Sequence, residues 1–350
     1  MNRKAHRTEE RTADTVVSVG GVRFGADPFP VVAGPCTIES EEQIHHLAGV
    51  VADAGARVLR GNSVATMVGG PYAFQGLGLD GVRMLAEAGR AVGLPTLTQI
   101  AEPRDAEAVA EHVDMVEVGS GNMQNFELLR AVGQTGLPVM LKRSPSATFD
   151  EWLWAAEYVL AEGNDQVVLC ERGIRAFEKS DTLDIAAVPT IKETSHLPVV
   201  VFPSHAVTDR GSVRPLALAA QGVGADGLVV EVHEDPDTAT ANDVGQLDPD
   251  RFDELMAALG INRLRGQVDL IDRDIVRLLA RRRHLTSRIG RVKAERGMPV
   301  YVPAREEELL DVVREEAKLQ GLADAYVVDL FELVLADSKE AQRRERDLGQ

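Results

Sequence analysis

Short apolar runs recur along the chain at about residues 29–35, 56–60, 94–100, 113–118, 137–142, 166–170, 197–202 and 224–232. Between them lie stretches with helical spacing of apolar residues, such as Glu41 to Ala54, Arg104 to His112, Thr148 to Ala161 and Asp250 to Leu259. Many runs are introduced by Gly or Pro, as in Gly93-Leu94-Pro95, Gly136-Leu137-Pro138 and Leu197-Pro198. Continuous rather than alternating apolar runs are the mark of strands buried on both faces, and helices between them predict parallel β/α units. Eight such units in about 230 residues match the size of a (β/α)8 barrel. The alternative is an open doubly wound sheet, which the absence of Gly-x-Gly-x-x-Gly after the first run disfavours. Ahead of the barrel, Val16 to Phe24 predicts a small hairpin turning on Gly20-Gly21. Residues 1–15 are polar and charged and are expected to form a disordered tail.

Near residue 260 the period changes. No strand signal follows. Leu264, Val268, Ile271, Ile275, Leu278, Leu285, Ile289 and Val292 keep a three-to-four spacing across a helix of about 35 residues, ended at Met298-Pro299. Further helices are predicted at about Ala304 to Lys318 and Ala323 to Glu345. One long helix and two shorter ones cannot bury that stripe alone, so a helical homodimer is expected. The predicted organisation is a (β/α)8 TIM barrel over 16–259 and a small all-α three-helix domain over 261–350.

Composition narrows the function. A formal net charge of −17 over 350 residues argues against a nucleic-acid partner or an anionic membrane surface. Small anionic substrates remain open, because a site can be locally basic. Two cysteines, Cys36 and Cys170, are too few for a disulfide scaffold and point to a reducing compartment. With no signal peptide pattern and no long apolar segment, a cytoplasmic protein is expected.

Chemistry in such a barrel gathers where strands end. The residues there are Cys36, Arg60, Gln99, Lys142, Arg143, Glu171, Arg172, His205 and Glu231, with Asp243 in the loop beyond. Cys36, His205, Glu231 and Asp243 form a mixed soft and hard donor set suited to manganese, cobalt, iron or zinc. Such an ion would polarise a carbonyl or orient a substrate. Alone, Cys36 reads as a small core residue, the commoner fate of a lone cysteine, and His205 and Glu231 at equivalent strand ends turn the reading toward a ligand. Arg60, Lys142, Arg143 and Arg172 are either rim salt bridges or a cradle for phosphate or carboxylate.

Gly34-Pro35-Cys36-Thr37-Ile38-Glu39-Ser40 resembles the cysteine motif of the short microbial 3-deoxy-D-arabino-heptulosonate 7-phosphate (DAHP) synthases. The resemblance runs through Pro71 to Gly78, Asn122-Met123-Gln124-Asn125, Leu141-Lys142-Arg143, Leu169 to Arg175, Pro203-Ser204-His205 and Gly227 to His233. It implies a metal-dependent barrel that condenses phosphoenolpyruvate with the sugar phosphate erythrose 4-phosphate and releases phosphate. By that resemblance the metal ligands are Cys36, His205, Glu231 and Asp243, and Arg60, Lys142 and Arg172 hold phosphoenolpyruvate. There are departures. Ala65 to Gly70 replaces the family's Lys-Pro-Arg-Thr-Ser, Gly121 an Arg, Phe202 an Asp, Gln99 a Glu, and Ser144-Pro145 a Gly. Each lost charge-assisted phosphate contact is worth ~1.5–3 kcal/mol. Three readings follow: the barrel makes the family product, condenses a different acceptor, or acts as a scaffold or regulatory partner.

On the long helix Arg282 falls on the apolar stripe, and Lys293 follows Ile289 at i+4. A cation there either snorkels to solvent or meets an anion. Leu264-Arg265, Arg282, Lys293, Arg305-Glu306, Asp337-Ser338 and Gln342 resemble the site residues of the all-helical chorismate mutases, at that family's spacing. Val302 departs from an Asp found in many members. The resemblance implies rearrangement of chorismate to prephenate in a dimer. Arg265 would reach in from the partner subunit, Arg282 and Arg305 would hold carboxylates, Lys293 and Gln342 would donate to the ether oxygen, and Glu306 would bind the ring hydroxyl. Together the two resemblances imply a bifunctional aromatic-pathway enzyme.

Overall fold

The computed structural model describes residues 3–8, 13–26, 28–63, 72, 74–176, 181–241 and 244–348. Side chains of 181, 261–267, 269, 270 and 345–348 lie outside that description. The chain divides into two units, Met1–Asn262 and Arg263–Gln350.

The first unit opens with the antiparallel hairpin β1 (Val17–Val19) and β2 (Val22–Phe24). Gly20 and Gly21 both have positive φ, the conformation a two-residue hairpin turn with the right twist requires. The barrel strands are β3 (Val31–Gly34), β4 (Val58–Arg60), β5 (Thr96–Ile100), β6 (Met115–Val118), β7 (Val139–Lys142) and β8 (Val167–Glu171). After a short excursion, β9 (Ile174–Arg175) with β10 (Asp181–Thr182), come β11 (Val199–Val201) and β12 (Leu228–Glu231). Eight of these strands close a parallel barrel in the order β11-β12-β3-β4-β5-β6-β7-β8. Its strands are buried along their length, apart from a half-buried Gln99, which is why they read as unbroken apolar runs.

Helices follow the barrel strands: α1 (Glu41–Asp53), α2 (Leu79–Val92), α3 (Ala106–Ala110), α4 (Phe126–Gln134), α5 (Phe149–Ala161), α6 (Ala187–Thr194) and α7 (Val213–Gly222). Their apolar faces, with Leu47, Leu85, Leu128 and Trp152, form the larger core between helices and sheet. A second core fills the barrel: Val32, Val58, Leu97, Met115, Met140, Val168, Val200 and Val229 pack with Val17, Val19, Val22 and Phe24 of the hairpin. The hairpin therefore plugs one end of the barrel, and the C-terminal strand ends form the opposite rim.

The N-terminal segment departs from the expected disordered tail. Ala5 is fully buried, and the backbone N–H groups of Lys4 and Ala5 donate to the Glu157 carboxylate. His6 bridges Ser195, and Lys4 O meets His196 Nε2 at 2.7 Å. These are backbone and polar contacts with distant residues, which leave no periodic trace in the segment itself.

The second difference concerns α8 (Pro249–Glu295), a single helix of 47 residues. The change of period near residue 260 is therefore no break in the helix, because an interior glycine such as Gly260 costs only ~1 kcal/mol and need not end it. The helix stops at Gly297, which takes φ +64. In the second unit α9 (Pro303–Leu319) and α10 (Asp324–Leu348) pack on each other, sharing Val313, Ala317 and Val327. The stripe Val268, Ile271, Ile275, Leu278, Leu285, Ile289 and Val292 stays 45–63% exposed within one chain.

Trp152 on α5 is fully buried and donates its indole N–H to Leu141 O at 3.1 Å. Trp152→Ala is expected to lower the unfolding free energy of the barrel by about 3–5 kcal/mol, read from urea denaturation followed by circular dichroism.

Candidate functional site

Parallel strands deliver their last residues to one rim, and register decides which side chains meet there. Glu231 stands opposite Gly34 in the β12–β3 ladder. A Cβ on Gly34 would sit 2.0 Å from Arg60 O, so the absent side chain lets β3 and β4 close up at this level. Cys36 follows two residues on, 3% exposed, and its N–H faces Gln246 Oε1 at 3.5 Å. His205 is delivered by the tight turn Pro203–Ala206 after β11. The ligand atoms of Cys36, His205 and Glu231 lie within 4.8 Å of one another. Asp243 lies outside the described residues.

Glu231 is the centre of this group. It is fully buried and accepts from Arg60 Nη1 at 2.8 Å and meets His205 Nε2 at 2.9 Å, both on Oε1. Its other oxygen, Oε2, is buried without a hydrogen-bond partner among the described residues. Burial alone would raise the carboxyl pKa; His205, Arg60 and Lys142 outweigh it and hold the group well below the usual carboxylate range. A thiol, an imidazole and a carboxylate with one buried oxygen to spare fit a divalent transition ion.

Two cations of the expected anion cradle join the cluster. Arg60 is 1% exposed; burial opposes its charge, and Glu231, Glu117 and Cys36 outweigh burial, so its pKa rises. Lys142 Nζ lies 2.7 Å from Glu117 Oε1, both buried. Arg143 goes elsewhere. Successive side chains along an extended segment point to opposite faces, and Arg143 Nη1 meets Glu171 Oε2 at 3.0 Å and Asp184 Oδ2 at 2.9 Å. Its Nε donates to Ala147 O at 3.0 Å, so it ties rim loops together outside the cluster of Cys36, His205 and Glu231. Burial raises the Glu171 pKa, with Arg143 opposing. Arg172 is half-buried just after β8. Gln99 lies beneath Gly119, where a Cβ would come within 2.7 Å of its Oε1.

Sequence reasoning missed Glu117 as a site residue and treated Phe202 only as a departure. Glu117 was legible: one acid within the apolar strand Met115-Val116-Glu117-Val118 calls for a buried cation.

In the helical unit a cavity of ≈ 320 Å³ is lined by Arg282, Lys293, Arg305, Glu306, Ser338 and Gln342, with Ile289, Val300, Val302 and Leu309 among its apolar walls. Those six polar residues come from α8, α9 and α10. A Cβ on Gly290 would lie 2.9 Å from Gln342 Cα, so the glycine lets α8 and α10 cross closely there. Arg282 donates to Ser338 Oγ and to Val334 O, the latter at 3.3 Å. Burial lowers its pKa, with Asp337 opposing. Lys293 Nζ donates to Val300 O at 3.0 Å. Gln342 Oε1 is buried with no hydrogen-bond partner among the described residues. Lys339, unanticipated from sequence, lines the cavity and pairs with Glu306 at 2.8 Å. Its signal was the spacing of 335, 338, 339 and 342 on one helical face. The Arg265 side chain lies outside the described residues.

The barrel matches the DAHP synthetase I family over residues 8–262, and the helical unit matches chorismate mutase type II over 264–343. A phospho-2-dehydro-3-deoxyheptonate aldolase of Thermotoga maritima is 43% identical over 245 residues, covering 69% of this chain and 72% of that protein. A 2-dehydro-3-deoxyphosphooctonate aldolase of Syntrophobacter fumaroxidans is 29% identical over 280 residues, covering 75% and 97%. The crystal structure of the Thermotoga maritima DAHP synthase superposes with a TM-score of 0.72 at 39% identity, covering 76% of this chain and 78% of that one. The chain therefore belongs to the DAHP synthetase I family through its barrel, and its helical unit carries the chorismate mutase type II match.

Proposed function

We propose that the helical unit converts chorismate to prephenate, and that the barrel binds a divalent metal and phosphoenolpyruvate as one part of a bifunctional aromatic-pathway enzyme. The observation that carries the first half is the single cavity lined by Arg282, Lys293, Arg305, Glu306, Ser338 and Gln342. The rearrangement is pericyclic, so the site has no proton to move and no covalent bond to form with the substrate. It must hold a dicarboxylate in a compact shape and meet the charge that grows on the ether oxygen. Arg282 and Arg305 suit the carboxylates. Lys293 and the amide of Gln342 donate to the ether oxygen, and Glu306 accepts from the ring hydroxyl. Arg265 completes the pocket from the partner subunit of a homodimer. The half-exposed apolar stripe of α8 supports that dimer, since it is far more apolar surface than a lone helix leaves in water.

In the barrel, Cys36, His205, Glu231 and Asp243 would hold the metal, with manganese first and cobalt, iron or zinc as alternatives. Such an ion supplies Lewis-acid polarisation of a carbonyl oxygen. Arg60, Lys142 and Arg172 would hold the carboxylate and phosphate of phosphoenolpyruvate, with Arg143 fixing the loop beside them. The acceptor is a separate matter. Phe202 is buried where the family carries Asp, and Gly121 stands where it carries Arg. These favour a second reading in which the barrel handles erythrose 4-phosphate poorly, and takes another acceptor or serves the mutase as a scaffold or regulatory partner. Among the described residues no helix is long and apolar enough to cross a membrane. Neither Cys36 nor Cys170 is in a disulfide, which supports placement in the cytoplasm.

Three outcomes test these readings. Arg282→Ala and Lys293→Ala are each expected to reduce chorismate turnover by about 10²–10³-fold or more, with the circular dichroism spectrum unchanged; full turnover in both would exclude this pocket as the active site. Mn²⁺ at a hundred times its dissociation constant should stabilise the barrel by ~2.7 kcal/mol, and Cys36→Ser or Glu231→Gln should remove that gain in thermal denaturation. Phosphate release from phosphoenolpyruvate with Mn²⁺ is expected to saturate poorly with erythrose 4-phosphate; a low KM for that acceptor would return the barrel to the ordinary family reaction.

A further inference from the structure

One aromatic ring lies among the charged groups of the barrel rim. Phe202 follows β11 and is fully buried, with its N–H donated to Glu171 O at 2.8 Å. Its ring stacks on the His205 imidazole, with centroids 4.0 Å apart and planes at 21°. Lys142 Nζ lies 4.6 Å from the ring centroid and the Arg60 guanidinium carbon 5.1 Å from it. Two cations and a metal-ligating imidazole thus share one neutral ring. Each of the three also meets a buried acid: His205 and Arg60 meet Glu231, and Lys142 meets Glu117.

The geometry points to Phe202 as a positioning residue that couples the metal donors to the anion cradle, an inference that rests on the metal and phosphoenolpyruvate reading above. Parallel stacking restricts rotation of the His205 ring and keeps Nε2 turned toward Glu231. An aromatic face attracts cations through its quadrupole but carries no net charge. It fixes Arg60 and Lys142 without neutralising them. A carboxylate in the same place would hold the cations equally well and would cancel part of the charge an incoming anion needs. The ring therefore holds the two cations without adding to the negative charge that Glu231 and Glu117 already place on them.

The test is calorimetric titration of the full chain with Mn²⁺, and then with phosphoenolpyruvate in the presence of Mn²⁺. Wild type is compared with Phe202→Leu and Phe202→Tyr, and each variant's thermal midpoint is recorded. Leucine fills most of the volume without a π face, and is expected to weaken both ligands by about tenfold. Tyrosine restores the face and should rescue both affinities. Wild-type affinities in Phe202→Leu would overturn the proposal. So would equal losses in the two variants, which would mark the ring as packing alone. A wild-type protein that binds no Mn²⁺ fails before any substitution is compared; it overturns the metal reading, and the coupling falls with it.

Discussion

An ionised carboxylate sealed from water costs several kcal/mol unless cations and hydrogen bonds reach it, and the barrel rim is arranged around one such group. Glu231 ends β12 with no exposure. Arg60 must come across from β4, and it does so past Gly34, the one position opposite Glu231 that has no side chain to obstruct it. His205 must come from the turn after β11, where Ser204 Oγ also accepts the Glu231 N–H at 3.1 Å. Two strand ends and one turn are thereby fixed relative to each other by a single charge. Removing one partner of such a group typically costs 3–5 kcal/mol, because the other is left buried and uncompensated.

The helical unit meets a similar constraint differently. Arg282 lies on the apolar side of a long helix and gives up part of its hydration, which is why its pKa falls. Ser338 and the carbonyl of Val334 on α10 accept its hydrogen bonds, so the guanidinium is oriented before any ligand arrives. Lys293 is held likewise by Val300 O. A preorganised cation in a partly dry pocket interacts more strongly with a bound carboxylate than a solvated one, since less reorganisation is needed.

Most of this architecture was legible in the residue pattern, and the exceptions share a cause. Barrel strands announce themselves as apolar runs because both faces are covered, and Arg282 and Lys293 of the helical pocket were readable from the apolar stripe they interrupt, whereas Arg305 and Glu306 came from the family resemblance. The docking of residues 3–8 was not legible, since Ala5, Glu157 and Ser195 meet across more than 150 positions through backbone groups. The continuity of α8 through Gly260 was obscured by treating a weak helix former as a stop. Arg143 shows the limit at the site itself. Its place beside Lys142 in sequence suggested a shared task, but alternation along the strand sends the two cations to different partners. Pairings such as Lys142 with Glu117 depend on barrel register, which no local pattern encodes.

The two sites distribute charge in opposite ways, and this bears on how each takes a ligand. The helical cavity is lined by Arg282, Lys293, Arg305 and Lys339 against the single carboxylate of Glu306. A dianion entering there meets an excess of positive charge already in place, of which Lys339 is paired with Glu306 and Arg305 with Glu308. In the barrel, Arg60 and Lys142 are each committed to a buried acid. An anion that engages Arg60 competes with Glu231, and the competition eases only where another positive charge meets that carboxylate. The donor set of Cys36, His205 and Glu231, with its spare buried oxygen, stands at the same carboxylate. On the proposed reading, a cation and an anion taken up by the barrel would meet at Glu231. In the helical pocket Arg282 and Lys293 are held instead by a hydroxyl and backbone carbonyls, so these two cations can meet a ligand without giving up a carboxylate.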